Sequence, residues 1–451
     1  MPGTPRCEVS GRGGLSNSLP ALRLGRAHRI FFGWWVVVAS ALGLIVSYGP
    51  IVLATFGVFL EPLHREFGWS RPELSGAVSL ATLVLAFFQP MCGRLVDKWG
   101  ARRIVLLSLS LFGSTLLALS ALGGNLAHFY LGYVLLGLFG TGATPVPYSR
   151  LVSRWFEQKR GQALGFSLAG FGVGMLVMPL FVHAVIAQLG WRWAYRALGI
   201  LIIAGVIPVL GLLLRESPEQ MGMLPDGRER ASALGLQRGL AHRPHEADGW
   251  DWFEARRSLT FWKIAIAFFL VSTSVHACLV HFVPLLTDRG FSPERAVKAA
   301  SLFGIAVLLG RLTVGHLLDR FFAPSVVTVL FGGVLLGLVC LWLGAPAGFP
   351  FLAAFLLGLG LGMDTLAYLM TQYFGLRAFG EIYGYAFAGV LTGGSIGPFF
   401  LSLIFHRAGS YEPGLTILIL WVGVALGLIV SLHSAGVRIS MHKGGRLCEK
   451  S

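Results

Sequence analysis

The sequence predicts an all-α integral membrane protein of twelve transmembrane helices arranged as two pseudo-symmetric six-helix bundles, and three observations predict it. First, the 451-residue chain is 55% hydrophobic with only 13% charged residues and a mean hydropathy of +0.71, whereas soluble domains carry roughly 25% charge. Second, its apolar runs are continuous. At about 20 apolar residues per span they read as twelve segments: 33–58, 73–92, 104–122, 127–149, 162–186, 194–214, 261–285, 297–318, 325–343, 349–371, 381–405 and 414–434. A closed β-barrel would show short alternating segments instead, so helices are the spanning solution. Third, the chain repeats itself. Gly93-Arg-Leu-Val-Asp97-Lys98 returns as Gly315-His-Leu-Leu-Asp319-Arg320, and Gly161, Gly165, Ala169, Gly170, Gly174 and Pro179 return, at nearly the same offset, as Gly380, Gly384, Ala388, Gly389, Gly393 and Pro398. Two independent matches mean one bundle made twice.

The predicted organisation follows. Residues 1–29, with Gly, Ser, Pro and Arg but no apolar core, read as a disordered cytoplasmic tail and not as a signal peptide. Residues 30–214 form the first bundle, 215–258 a polar cytoplasmic linker, 259–435 the second bundle and 436–451 a cytoplasmic tail. A net charge of +15 would suggest nucleic acid in a soluble protein. Here its location decides otherwise: Lys and Arg concentrate in the termini, the 2–3 and 4–5 loops and the central linker, so both termini are expected in the cytoplasm. A cell membrane is the expected setting, with a bacterial inner membrane the specific expectation. Cys7, Cys92, Cys278, Cys340 and Cys448 have no paired spacing, which argues against a disulfide framework or a zinc site.

Taken in order, span 1 carries Tyr48 and Pro50, a hydroxyl and a flexible break that could face a central cavity; ordinary packing of the tyrosine is the alternative. Span 2 ends in the first signature. Asp97 there can cap a neighbouring helix terminus, while Arg102 and Arg103 pair with acidic groups on the cytoplasmic surface, giving a contact that switches between two states. A solvated charged turn is the alternative, for this copy and for Asp319 and Arg320. Span 4 closes on Pro145, Pro147, Tyr148 and Arg150, the last read as a membrane-border anchor, with guidance of anions as the alternative. Spans 5 and 11 carry small faces, Gly170, Gly172 and Gly174 and then Gly389, Gly393, Gly394 and Gly397, which permit close approach and sliding. Gly170-Phe-Gly-Val-Gly is not a dinucleotide loop, because no strand precedes it.

Span 7 holds His276 and His281, span 5 His183 and span 8 His316, for each of which hydrogen-bonded packing is the plainer reading. Span 8 also carries Arg311, a guanidinium about two turns inside the membrane. Such a charge costs several kcal/mol unless paired or wet, and its planar fork suits a carboxylate. An ion pair with Asp364 or Asp319 is the alternative. Asp364, in span 10, is the one clearly intramembrane acid; desolvation raises a carboxyl's proton affinity, so it could carry a proton or simply neutralise Arg311.

Internal symmetry of this kind marks many membrane transporters, whose halves rock about a site near the midplane. No nucleotide-binding loop is present, so ATP is not expected to drive the chain. No cluster of nucleophile, base or metal ligands suggests an enzyme, no cofactor is implied, and no soluble output domain suggests a sensor.

Twelve spans and Gly93-Arg-Leu-Val-Asp-Lys-Trp-Gly-Ala-Arg102-Arg103 together resemble the major facilitator superfamily, whose loop signature is G-x-x-x-D-[RK]-x-G-[RK]-[RK]. The second copy keeps Gly315, Asp319 and Arg320 but lacks the closing glycine and basic pair. A narrower resemblance rests on Gly33-Trp34-Trp35, on Arg154-Trp-Phe-Glu-Gln-Lys159-Arg160-Gly-Gln-Ala-Leu-Gly and on Tyr373-Phe-Gly-Leu-Arg377-Ala-Phe-Gly-Glu381-Ile-Tyr-Gly, which look like the monocarboxylate transporter and oxalate/formate antiporter group. The resemblance implies the major facilitator fold, a small organic anion as substrate, and a proton as partner. It implies Arg311 as the carboxylate ligand and, because span 7 lines the cavity in this superfamily, His276 near it. It also implies a gating role for Gly93, Asp97, Lys98, Arg102, Arg103, Gly315, Asp319 and Arg320. Two departures matter: Ala54 stands where several members carry a lysine, and span 11 has none. With one intramembrane cation, a monoanion fits better than a dianion. An exporter of amphipathic compounds is the second reading, and Arg311 argues against it.

Overall fold

The computed structural model describes residues 31–227, 249–344, 348–360 and 363–448, with the side chains of 71, 72, 293, 297, 301, 363, 364 and 433–448 outside that description. The expected N-terminal tail therefore lies outside the described residues. Among the described residues, eleven helices are long and apolar enough to cross a membrane. In the first half they are α1 (Gly33–Leu53), α2 (Glu73–Trp99), α3 (Ala101–Leu119), α4 (Leu126–Trp155), α5 (Arg160–Leu189) and α6 (Trp191–Leu213). In the second half they are α7 (Leu259–Asp288), α8 (Glu294–Arg320), α9 (Ala323–Leu343), α11 (Phe379–Ala408) and α12 (Glu412–Leu432). The expected tenth span, α10, is described in two pieces, Phe349–Leu359 and Met363–Phe374, so the twelve-segment reading stands.

Local sequence accounts for the boundaries. Ser70 and Glu73 close a capping box ahead of α2, Asn125 caps α4 and Ser258 caps α7, each supplying a side-chain acceptor to otherwise orphaned N–H groups. The chain turns from α2 to α3 through Gly100 at φ +88°, a conformation that only glycine adopts without strain. That is the closing glycine of the signature.

Three boundaries differ from the sequence reading. The first span was expected to run to residue 58, but it stops at Leu53 and passes through a widened turn at Gly49–Leu53 with Pro50 inside it. A separate amphipathic helix follows at Phe56–Phe67, because Glu61, His64, Arg65 and Glu66 are too polar for a bilayer core. The last helix continues as backbone to Cys448, past the apolar run. The linker keeps short ordered pieces at Pro218–Met221, Pro225–Gly227 and Trp252–Ala255.

Within each half the packing repeats: α1 lies on α5 and α7 on α11, while α3 packs on α4 and α6 as α9 packs on α10 and α12. Between the halves two seams dominate, α2 against α11 and α5 against α8. The core is a single connected set of buried apolar side chains across both halves.

Candidate functional site

Each seam is built from one copy of each sequence repeat. The signature glycine of α2, Gly93, lies so close to Gly380 of α11 that a β-carbon on either would strike the other's carbonyl oxygen. Gly315 of α8 meets Gly161 of α5 in the same way. One turn further along, Gly384 packs on the Gln89 carbonyl, and Gly165 on the carbonyl of Arg311. The repeated glycines let four backbones approach closely.

The signature carboxylates complete the seams. Asp97 crosses from α2 and accepts hydrogen bonds from the first N–H groups of α11, Gly380 at 2.9 Å and Glu381 at 2.8 Å. Asp319 crosses from α8 and accepts from Gly161 at 2.6 Å and Gln162 at 2.9 Å at the start of α5. Four orphaned donors are thus satisfied by charged acceptors from the opposite half, which also complement the positive ends of the two helix dipoles. The capping expected for Asp97 is what its geometry delivers, and Asp319 does the same.

The first seam carries extra charge. Arg150 of α4 is buried, 5% exposed, and its Nε lies 3.1 Å from Asp97 while its Nη1 lies 3.6 Å from Glu216. Its reading as a membrane-border anchor is therefore corrected: it is an interior partner of the signature carboxylate Asp97. Glu216, just past α6, accepts from the N–H groups of Ala101 and Arg102 at 3.0 Å each and pairs with Arg154 at 3.3 Å. Arg94 donates across the seam to Glu381 at 2.6 Å. The expected pairing of Arg102 and Arg103 with surface acids is also corrected. Arg102 reaches the Gly211 carbonyl at 2.7 Å, its backbone N–H rather than its guanidinium meets Glu216, and Arg103, like Lys98 and Arg320, is exposed with no carboxylate partner among the described residues. Sequence reading missed Glu216, Glu381 and Arg94. For the two acids a place beside a span was the only signal, and Arg94 lay unremarked inside the signature itself.

Arg311 sits in the second seam, 6% exposed. Its Nη1 donates to the carbonyl of Leu168 in α5, and its guanidinium lies 5.1 Å from the ring centre of Phe171. That ring also fills the space beside Gly49, so Arg311 and the break in α1 meet on two sides of one phenylalanine. Asp319, one candidate partner, is engaged with α5. Asp364, the other, starts the second piece of α10, and its side chain lies outside the described residues.

Tyr48 and His276 stand apart. The Tyr48 hydroxyl shares a 3.0 Å hydrogen bond with Thr82 of α2, and its ring packs on Gly140, inside the first half. His276 Nδ1 lies 2.8 Å from the Ser272 carbonyl, Ser272 Oγ donates to the Val390 carbonyl at 2.8 Å, and the imidazole rests on Gly394 of α11. Both are hydrogen-bonded packing residues in this conformer. Among the described residues no cluster of His, Cys, Asp and Glu could hold a metal ion.

The profile of the Major Facilitator Superfamily matches residues 30–398. The chain belongs to the Major Facilitator Superfamily. Relatives within it include Monocarboxylate transporter 11 of Mus musculus, 28% identical over 69% of this chain and 65% of that protein. An MFS-type transporter of Gibberella moniliformis is 25% identical over 84% of this chain and 85% of that protein. The chain spans less than two thirds of the length of Monocarboxylate transporters 11 and 13, which it resembles. Among solved structures, the fucose:proton symporter FucP of E. coli superposes with a TM-score of 0.60 at 13% identity, covering 88% of this chain and 97% of its own. That likeness supports the major facilitator fold.

Proposed function

We propose that this chain is a secondary transporter that moves a small monocarboxylate-like anion by alternating access, coupled to a proton. The observation that carries the reading is Arg311, a buried guanidinium held between the two halves by the Leu168 carbonyl and the Phe171 ring. A cation fixed at a seam between moving halves is placed to bind a carboxylate through two parallel hydrogen bonds and to hand it from one side to the other. The monocarboxylate transporters among its relatives favour that substrate class. Asp364 is the proposed proton carrier, with Tyr48 and His276 as lesser contributors to the cavity.

The capped seams keep the signature end of the bundle closed. If that end is cytoplasmic, as the distribution of Lys and Arg argues, this conformer is open to the outside. Asp97 and Asp319 then act as two latches that release when the halves rock the other way, with Gly93 and Gly315 allowing closure and Lys98, Arg102, Arg103 and Arg320 lining the latch.

Uptake of a labelled lactate-like anion into liposomes tests the reading. Arg311→Gln is expected to lower uptake at least a hundredfold, the loss of a charge-assisted pair worth about 3 kcal/mol, while the purified protein stays monodisperse. Uptake equal to that of the parent would remove Arg311 from the binding site.

A further inference from the structure

The polar linker does not enter α7 as a loose strand. Trp250 donates its N–H to the Phe374 carbonyl at 2.9 Å, and Gly249 pairs with Gly375 as an isolated antiparallel bridge. Asp251 and Glu254 close a capping box at 2.9 and 2.8 Å. Trp252 then stacks on Tyr385 of α11, centroids 3.9 Å apart and planes within 7°, and Ala255 is fully buried. One face of this short segment is therefore fixed to the second half.

The other face is apolar and open. Phe253 is 60% exposed, Leu259 77% and Trp262 48%, although each stands beside or in the first turn of a membrane span. Arg256 lies over the Phe253 ring at 4.7 Å, and Trp262 Nε1 donates to the Arg256 carbonyl at 2.8 Å, so the aromatic groups and the cation form one ordered patch. Arg257 is exposed, as is Arg377 next to Gly249, and Lys263 follows on α7. None of these four cations has a carboxylate partner among the described residues, whereas the two nearby acids are engaged with each other's backbone.

We infer that this patch is a binding site for an anionic phospholipid. Phe253, Leu259 and Trp262 would bury against the upper acyl chain, and Arg256, Arg257 and Arg377 would hold the phosphate and its headgroup. Three arguments select a lipid. Aromatic rings with basic residues at a span's first turn match the depth where headgroups begin. Long cationic side chains can lie on apolar surface while their heads reach phosphates. An unneutralised cationic cluster at a membrane surface favours an anionic over a zwitterionic lipid. The site also touches the gate from behind: Tyr385, under Trp252, lies one turn beyond Glu381, the partner of Arg94 across the seam. Occupancy there steadies the start of α11 in its capped position.

The test uses the purified full chain in a neutral detergent, titrated with phosphatidylglycerol or phosphatidylcholine and read by thermal unfolding and by native mass spectrometry. Phosphatidylglycerol is expected to raise the midpoint by several degrees more than phosphatidylcholine and to stay bound as discrete adducts. Arg256→Gln with Arg257→Gln should weaken phosphatidylglycerol binding roughly tenfold and erase most of that difference, while Arg256→Lys with Arg257→Lys retains it and Lys298→Gln, at the opposite end of α8, leaves it unchanged. Because each variant is compared with itself in the two lipids, a change in its basal stability does not confuse the result. Equal responses to the two lipids in the parent, or a parent-like response in the Gln pair, would overturn the proposal. So would association into dimers that lipid leaves unchanged, which would assign the face to a second copy.

Discussion

Gly93 and Gly57 separate two uses of one residue type. A β-carbon at Gly93 would collide with backbone of the opposite half, whereas at Gly57, in the helix Phe56–Phe67, nothing lies within 4 Å. Gly57→Ala should therefore be neutral or stabilising by roughly 0.5–1 kcal/mol, through helix propensity and a less flexible unfolded chain. Gly93→Ala should leave a folded protein that cannot close its signature end. Its transport should fall at least tenfold while its unfolding midpoint in detergent moves little, because the clash is escaped by rocking the halves apart. Parallel uptake and melting measurements check both, and parent-like uptake in Gly93→Ala would sink the latch reading. The sequence marked Gly93 through the repeat and the signature loop but not through its packing, since the partner that makes its size matter, Gly380, is nearly three hundred residues away.

At the scale of elements, the helix Phe56–Phe67 shows what sequence could and could not reveal. Its apolar start merged with the first span, and only the structure separates them, because the widened turn at Gly49–Leu53 has no strong local signature beyond Pro50. Continuous apolar runs made the spans legible, since lipid demands length and hydrophobicity whatever the tertiary partners. The polar network was not legible: Arg150, Glu216 and Glu381 meet only through folding, and a span-end charge reads as ordinary membrane-border chemistry. The same helix carries a test. Glu66 accepts a hydrogen bond from the Trp191 indole at 2.6 Å and pairs with Arg192 at 2.5 Å, tying the helix to the start of α6. The indole bond first, then the guanidinium, hold its carboxyl below the ordinary 4.5. A lowered acid contributes stability in full above its unfolded pKa and loses it as pH falls through the folded value. The gap in melting temperature between parent and Glu66→Gln should therefore be widest at neutral pH and narrow below about pH 4.5. Both side chains are 39% exposed, so solvent screening keeps the pair's contribution to stability under about 1 kcal/mol. A gap that does not change between pH 7 and pH 4 would remove the ion pair as its source.

Across the whole molecule, duplication gives two seams with the same cap but different surroundings. Asp97 is backed by an ion pair with buried Arg150 and flanked by the Arg94–Glu381 bridge, whereas Asp319 has His316, which bonds Gln162 beside it, and Arg160 nearby but no ion pair among the described residues. The two caps are thus alike in geometry and unequal in the charge that backs them. Asp319→Asn removes a charge-assisted cap and should shift the balance between closed and open signature ends by about 1–2 kcal/mol, roughly five- to thirtyfold. Asp97→Asn also deprives Arg150 of its nearest counter-charge, leaving Glu216 at 3.6 Å, and should shift the balance further, since an uncompensated buried charge is costly. If both latches act on one rigid rocking motion, their effects add within about 0.5 kcal/mol in the double variant. The reporter is a cysteine replacing Ser167, buried in α5 two turns from the Gly161 cap, in a chain whose five native cysteines are replaced by serine, and its labelling rate by an impermeant maleimide added at the signature face. Labelling should rise in the order parent, Asp319→Asn, Asp97→Asn, double variant. Equal rates in the two single variants would mean that the charge network adds nothing to the cap. A double variant no faster than Asp97→Asn would mean that one seam alone holds the halves together, and that the symmetry seen in the repeats no longer operates in the gate.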